Sequence, residues 1–187
     1  MQTYSHGLMT AVLQPHLRHQ AIPQQQSALL AGSVVPDLPL GLLTLGYLLD
    51  RRYFRPYLPD KNRCSPAFND LYFHNPWWIA ACNSLHAPLP IFLLLLVGYL
   101  YRRTSWGQKL FWFAVGCGLH AAVDIATHVD DGPVLLFPFN WRYRHRGPVS
   151  YWDERHGGRL FWWLEHLLDL LLIGHLLCKY RPTTNDQ

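Results

Sequence analysis

Apolar residues in this chain fall into long stretches with helical spacing, and the strict alternation typical of β-strands is scarce. The clearest stretches cover residues 28–49, 87–101, 109–128 and 159–178. The pattern therefore predicts an all-α fold, a single compact multi-helix bundle over residues 1–187 with several apolar, membrane-type helices.

The same four stretches are candidates for membrane spans, although each is short, broken or interrupted by polar residues. A helix that crosses a bilayer needs about 20 mostly apolar residues, and the stretch 87–101 is shorter than that. Basic residues near Arg51, Arg102 and Arg142 fall on both sides of a simple four-span arrangement. We expect association with a membrane, and the pattern leaves open four full crossings and a re-entrant or monotopic arrangement.

The predicted helix over 109–128 carries the densest group of chemically useful side chains. His120, Asp124 and His128 follow one another at intervals of four, so in a helix they share one face. Most other positions nearby are small or apolar, and an unsatisfied buried polar group costs about 1–3 kcal/mol. Imidazole nitrogen and carboxylate oxygen are zinc ligands. The stripe predicts a metal site, although such pairs also hydrogen-bond to each other and His128 lies at the helix end.

Two further polar residues lie where apolar stretches are interrupted by proline. Asp37 lies between Pro36 and Pro39, which one continuous helix does not accommodate easily, so we expect a break there. His86 comes just before Pro88. Each could face the metal site, and each could instead cap a helix or make an ordinary hydrogen bond.

The last predicted helix carries Glu165, His166 and Asp169 on parts of one face. Such residues can hold metal-binding histidines in place by hydrogen bonds from behind. An equally good interpretation is a polar stripe that packs against other helices.

The composition favours a membrane partner over nucleic acid. Charged residues make up only 15% of the chain, against about a quarter in ordinary soluble domains. The net charge is only +4, and the arginines cluster at the ends of apolar runs, which fits lipid headgroups better than a nucleic-acid stripe.

Several protein classes lack support from motifs. The cysteines Cys64, Cys82, Cys117 and Cys178 form no CxxC pair, which predicts isolated, mostly buried thiols. The first ten residues do not have the pattern of a signal peptide, so export is not indicated. No nucleophile elbow, P-loop or dinucleotide fingerprint is present.

Six short motifs occur along the chain in a fixed order. They are His6, Pro36-Asp37, Ser84-Leu85-His86, His120-x-x-x-Asp124, Asp131-Gly132-Pro133 and Trp141-Arg142-Tyr143-Arg144. In this order the chain resembles the bacterial family of membrane-bound, metal-dependent hydrolases that includes a LexA-regulated inner-membrane protein. The resemblance implies a location in the bacterial inner (cell) membrane. The metal ligands that it implies are His6, Asp37, His86, His120 and Asp124.

The chain departs from that family at two places. The family has Pro-Asp-x-Asp-His where this chain has Pro36-Asp37-Leu38-Pro39-Leu40, and a histidine where this chain has Ala81. Either one ion is bound, or His74 and His128 replace the missing ligands.

A more distant likeness to zinc-dependent phospholipase C and P1-type nucleases, which are helical and use His-x-x-x-Asp, suggests phosphoester chemistry. Our hypothesis is a metal-dependent hydrolase of ester or phosphoester bonds at the membrane, with a metal-activated water as nucleophile. The expected cofactor is a divalent ion, zinc, and the expected partners are membrane lipid and a small-molecule or lipid substrate. Asp37, His120 and Asp124 are the expected catalytic residues. The alternative is a non-enzymatic helical membrane protein in which these residues form a structural metal site or a hydrogen-bond network.

Overall fold

The computed structural model of the protein describes residues 1–17, 23–58 and 65–179. These residues form eight α-helices, which confirms the all-α prediction. The helices are α1 (Thr3–Leu13), α2 (Pro23–Val34), α3 (Leu38–Leu49), α4 (Pro66–His74), α5 (Pro76–Asn83), α6 (Pro88–Leu100), α7 (Ser105–Thr127) and α8 (Gly158–Lys179). Between α7 and α8 the chain is mostly irregular, with one isolated bridge between Val134 and Arg144.

Several helices begin where the sequence supplies a capping side chain and a proline. The side chains of Ser65 and Asn75 accept hydrogen bonds from the free N–H groups at the starts of α4 and α5, and each is followed by a proline. Thr104 caps α7 by accepting from the Gly107 N–H at 3.1 Å. A proline in the first turn loses no helical hydrogen bond, and these polar side chains satisfy donors that the helix leaves free.

Helix α7 lies at the centre and packs against α2 on one side and α6 on the other. At the crossing with α2, a Cβ on Gly32 or Gly116 would overlap the backbone of the other helix. A Cβ on Gly98 of α6 would collide in the same way with the backbone of Phe111. The glycines therefore let three backbones approach closely around the part of α7 that precedes the polar stripe.

The predicted break at Asp37 is present as a 3₁₀ turn over Val35–Asp37, between α2 and α3. The turn does not end the helical path, because Gln25–Phe54 remains long and apolar enough to cross a membrane. Asp37 therefore lies in the middle of a long apolar element.

Among the described residues, three helical elements have the length and composition to cross a membrane: Gln25–Phe54, Ser105–Thr127 and Gly158–Lys179. A fourth crossing arises if α5 and α6, which meet at 45°, count as one broken span. Three of the expected spans are thus confirmed as helices of sufficient length, and the stretch 87–101 is the second half of a bent pair.

The outer surface is rich in large apolar side chains, and the interior holds many polar side chains beside its apolar core. The outer face of α8 leaves Leu160, Leu170 and Leu177 66–68% exposed. Many of the buried side chains are polar: Ser5, His6, Thr10, Ser33, Asn83, His86, His120, Asp124, Glu165 and Asp169. Large exposed apolar surfaces mark contacts with lipid or protein, and polar groups inside apolar helices mark functional sites.

The cysteine prediction is partly confirmed. Cys82 and Cys117 are free and buried, whereas Cys178 is free and exposed on α8. Cys64 lies outside the described residues.

The crossing of α2 and α7 gives a test of this packing. Gly116→Ala should lower the free energy of unfolding by about 1–3 kcal/mol, because the new methyl group overlaps the backbone of α2. Gly46→Ala on α3 is the matched control, since its Cβ meets nothing within 4 Å, and it should leave stability unchanged or slightly raised. Thermal unfolding in detergent measures both, and an equal effect of the two variants would contradict the close crossing.

Candidate metal centre

Four of the residues that the sequence singled out meet in the interior. Asp37 comes from the 3₁₀ turn between α2 and α3, His86 from the link between α5 and α6, and His120 and Asp124 from successive turns of α7. One ligand atom from each lies within 4.8 Å of the others. The pitch of α7 and the bend at Pro36 therefore assemble a set of two imidazoles and two carboxylates.

Five of the six separations within this set are close to those around a tetrahedral zinc ion. Asp37 Oδ1 lies 3.5 Å from His86 Nε2 and 3.4 Å from His120 Nε2. Asp124 Oδ2 lies 3.1 Å from His120 Nε2 and 3.6 Å from His86 Nε2, and the two Nε2 atoms are 3.0 Å apart. Zinc bonds of about 2.0–2.1 Å place tetrahedral ligands roughly 3.3–3.4 Å from one another. The donor set therefore fits zinc in both chemistry and size.

The orientation of the two imidazoles also indicates a cation. His86 Nδ1 donates to the Cys82 carbonyl at 2.7 Å, and His120 Nδ1 donates to the Ser33 carbonyl at 2.9 Å. Because a carbonyl can only accept, each Nδ1 carries a proton, and each ring in its neutral form presents a lone pair at Nε2. Two lone pairs and two carboxylates that face one another need positive charge between them. A metal ion supplies it, and so would additional protons on the rings.

Asp124 faces a second group of residues with its other oxygen. Oδ1 lies 3.1 Å from His6 Nε2 and 3.1 Å from the Met1 ammonium, which also donates to Thr127 at 3.3 Å. The His6 ring stacks on His120 with centroids 3.9 Å apart. Burial lowers the pKa of His6 below its usual value, against the opposing effect of the hydrogen bond to Asp124, which favours the neutral form that a metal ion requires.

Helix α1, which carries His6, is held in place by contacts at both sides. Thr3 donates to Asp37 Oδ2 at 2.5 Å. Ser5 donates to Asp169 Oδ2 at 2.9 Å, and the Gln2 N–H donates to Glu165 Oε1 at 2.7 Å. The polar face of α8 thus contacts the backbone and side chains of α1 and not the histidines of the four-residue set.

The remaining predicted ligands lie outside that set. His128 donates from Nδ1 to the backbone carbonyl of Asp124 at 2.9 Å, and the same atom is 3.9 Å from Asp124 Oδ1. His74 pairs with Asp70 at the surface and is 72% exposed. His128 therefore lies beside the centre, whereas His74 points to solvent.

Sequence reasoning missed two contributors to this site. Thr3 could have been found, because Thr3, His6 and Thr10 recur at helical spacing on the polar face of α1. Ser33 left no such signal, since it acts on His120 through its backbone carbonyl, which every residue carries.

The chain matches the sequence model of a known protein family. The sequence model of the family described as zinc dependent phospholipase C matches residues 5–169, a range that includes every predicted ligand. Neither the curated proteins nor the solved structures include a match. The family match agrees with a donor set that fits zinc and with the expected metal-dependent hydrolase chemistry.

The metal content of the purified protein tests the centre. We expect about one or two equivalents of zinc per chain, and we expect His120→Ala to remove most of it, because this buried imidazole contacts both carboxylates. Mass spectrometry for metals on the folded protein provides the measurement. The control is His156→Ala at an exposed loop histidine, which should keep the full content. A folded protein without metal would contradict the zinc assignment.

Proposed function

The chain belongs to the zinc-dependent phospholipase C family, and on that basis we propose that it hydrolyses a phosphoester bond of a phospholipid at a membrane. The observation that carries the proposal is the convergence of Asp37, His86, His120 and Asp124 at separations that suit zinc. We treat residues 1–187 as one membrane-associated hydrolase domain.

The residues divide into roles according to which atoms they present. Asp37, His86, His120 and Asp124 Oδ2 would hold one zinc ion. His6 and Asp124 Oδ1 face each other on the other side of that carboxylate, and they would be two of the ligands if a second ion is bound. When bound, zinc polarises the phosphoryl oxygen and lowers the pKa of water so that it can attack near neutral pH. His128 would act as a further metal ligand or as a hydrogen-bonding neighbour of Asp124.

The proposed catalytic residues are Asp37, His120 and Asp124. The Asp37 side chain is 25% exposed, whereas the His120 side chain is fully buried and that of Asp124 is 7% exposed. Substrate and water therefore approach from the Asp37 side. Thr3 fixes Asp37 Oδ2 and leaves Oδ1 directed at the centre, which keeps one carboxylate oxygen in position throughout turnover.

The position of the centre along α7 supports a lipid substrate. The helix has 23 residues, about 34 Å in length, which is close to the ~30 Å thickness of a bilayer core. His120 and Asp124 lie in its last two turns. A phosphoester at the level of the lipid headgroups would reach them while its acyl chains lie along the apolar outer faces of the helices. The bacterial inner membrane and the LexA-regulated type stay predictions from the resemblance.

A second candidate function is a helical membrane protein without catalysis. It is favoured by the closed hydrogen-bond network, in which the Nδ1 atoms of His86 and His120 already have carbonyl partners. Protonated imidazoles beside Asp37 and Asp124 would then replace the metal ion.

Turnover of phospholipid distinguishes the two functions. Zinc-loaded protein should release a phosphorylated headgroup from phosphatidylcholine vesicles, and chelation should abolish the release. Asp37→Asn should lower kcat by about 10²-fold to 10⁴-fold, because it removes a charged ligand of the metal ion. Phosphate released from the headgroup by a coupled phosphatase is the readout.

Asp50→Asn is the matched control, since Asp50 pairs with Arg55 away from the centre, and it should retain normal kcat. In the same experiment the protein should float with the vesicles in a density gradient. Zinc-loaded protein that floats but releases nothing from any phospholipid would favour the non-enzymatic candidate.

A further inference from the structure

A cavity of about 580 Å³ opens between the end of α4 and the irregular segment that follows α7. We call it the arginine pocket, because Arg142, Arg144 and Arg146 line it together with Phe73, Val129 and Trp141. Pockets of roughly 300–1,000 Å³ accommodate small-molecule ligands. None of these arginines is needed for the metal centre described above.

The pocket has a fixed wall. The Arg144 guanidinium donates to the Gly132 carbonyl and lies over the rings of Tyr72 and Phe73, 4.9 and 5.3 Å from their centroids. Tyr72 in turn donates to the Asp131 carbonyl at 2.7 Å. These contacts hold one positive charge in a defined position at the cavity.

The pocket also carries positive charge that its own acidic residue does not neutralise. Arg146 is paired with Asp130 at 2.8 Å, and Asp130 is the acidic residue among those that line the cavity. Arg142 has neither an ion pair nor a side-chain hydrogen bond to any residue within the described ranges. A planar guanidinium that is free to bond matches the geometry of phosphate oxygens, which it can contact in pairs.

The pocket lies next to the metal centre. Val129, in its wall, follows directly on His128, whose imidazole is 3.9 Å from Asp124 Oδ1. The Gly147 N–H donates to the His128 carbonyl at 2.8 Å, which fixes the segment from Arg142 to Gly147 against the end of α7. An anion in the pocket would therefore lie beside the end of α7 that carries His120 and Asp124.

We propose that the arginine pocket binds a phosphate-bearing anionic group and so directs the enzyme to substrates that carry negative charge beyond the scissile phosphoester. Trp141 and Phe73 supply apolar surface for the carbon atoms attached to that group. The term substrate rests on the proposed function, whereas binding of the anion does not. The anionic group belongs either to a lipid headgroup or to a soluble phosphate ester.

Binding to the metal-free full-length protein tests the pocket without relying on catalysis. The protein in uncharged detergent micelles is titrated with phosphatidylglycerol phosphate, with phosphatidylcholine and with soluble glycerol 3-phosphate, and affinity is measured by calorimetry. Arg142→Gln should weaken binding of the two ligands that carry a phosphate monoester about tenfold, because it removes a charge-assisted contact. It should leave phosphatidylcholine binding unchanged.

Arg103→Gln is the matched control, an exposed arginine just before α7, about 34 Å from its other end. It should bind like the unchanged protein. Arg144→Gln is not used, since Arg144 also contacts Gly132, Tyr72 and Phe73. Dependence on Arg142 with glycerol 3-phosphate supports a soluble ligand, and the same dependence with the lipid alone supports a headgroup.

Equal weakening by Arg142→Gln and Arg103→Gln would overturn the proposal, since the effect would then be that of general surface charge. The absence of any preference for the phosphate monoesters over the zwitterionic phosphatidylcholine would overturn it as well. If the anion binds through Arg142 and no phospholipid is hydrolysed, the pocket stands and the proposed function fails.

Discussion

The structure depends on one electrostatic constraint: two carboxylates and the Nε2 atoms of two imidazoles face one another within 4.8 Å inside an apolar bundle. Such a group is stable only when positive charge lies among its members, since unpaired buried charge is costly. The backbone carbonyls of Ser33 and Cys82 fix the orientation of the histidines and thereby direct both lone pairs inward. Close packing at Gly32 brings α2, and with it Ser33 and Asp37, near enough to α7 for this to happen.

The distribution of polarity connects this centre to a lipid environment. Polar side chains are concentrated inside, where they bind α1 to α8 and surround the ligands, while leucines cover the outer faces of the helices. The metal centre lies near the end of α7, and the arginine pocket lies just beyond it. A molecule with an apolar tail and a phosphate-bearing head would match this order of apolar surface, metal ligands and arginines.

The sequence was sufficient to predict the features that depend on local rules. Helical spacing placed His120 and Asp124 on one face, and the prolines on either side of Asp37 predicted the break that turns it toward the centre. The same spacing included His128, but α7 ends at Thr127 and His128 is extended (φ −123°, ψ 135°), so it lies beside Asp124 and outside the four-residue set. The rule that residues four apart share one face holds only within the helix.

Features that depend on distant segments could not be derived from spacing along the chain, and only the family resemblance indicated His6. His6 reaches Asp124 across 118 positions of the chain because α8 and α2 hold α1 in place. The arginine pocket requires the irregular segment after α7 to fold back on α4, through contacts such as Tyr72 with Asp131. Spacing and propensity carry no information on such contacts.

The X-ray absorption spectrum at the zinc edge of the purified protein tests the central claim most directly. The account predicts a first shell of nitrogen and oxygen atoms at about 2.0–2.1 Å, with the outer-shell scattering of two or three imidazoles. Cys82 and Cys117 are buried within the same bundle, so a sulfur ligand is the instructive alternative. A zinc–sulfur distance near 2.3 Å, or a shell without imidazole, would contradict the assignment of His86 and His120 to the metal.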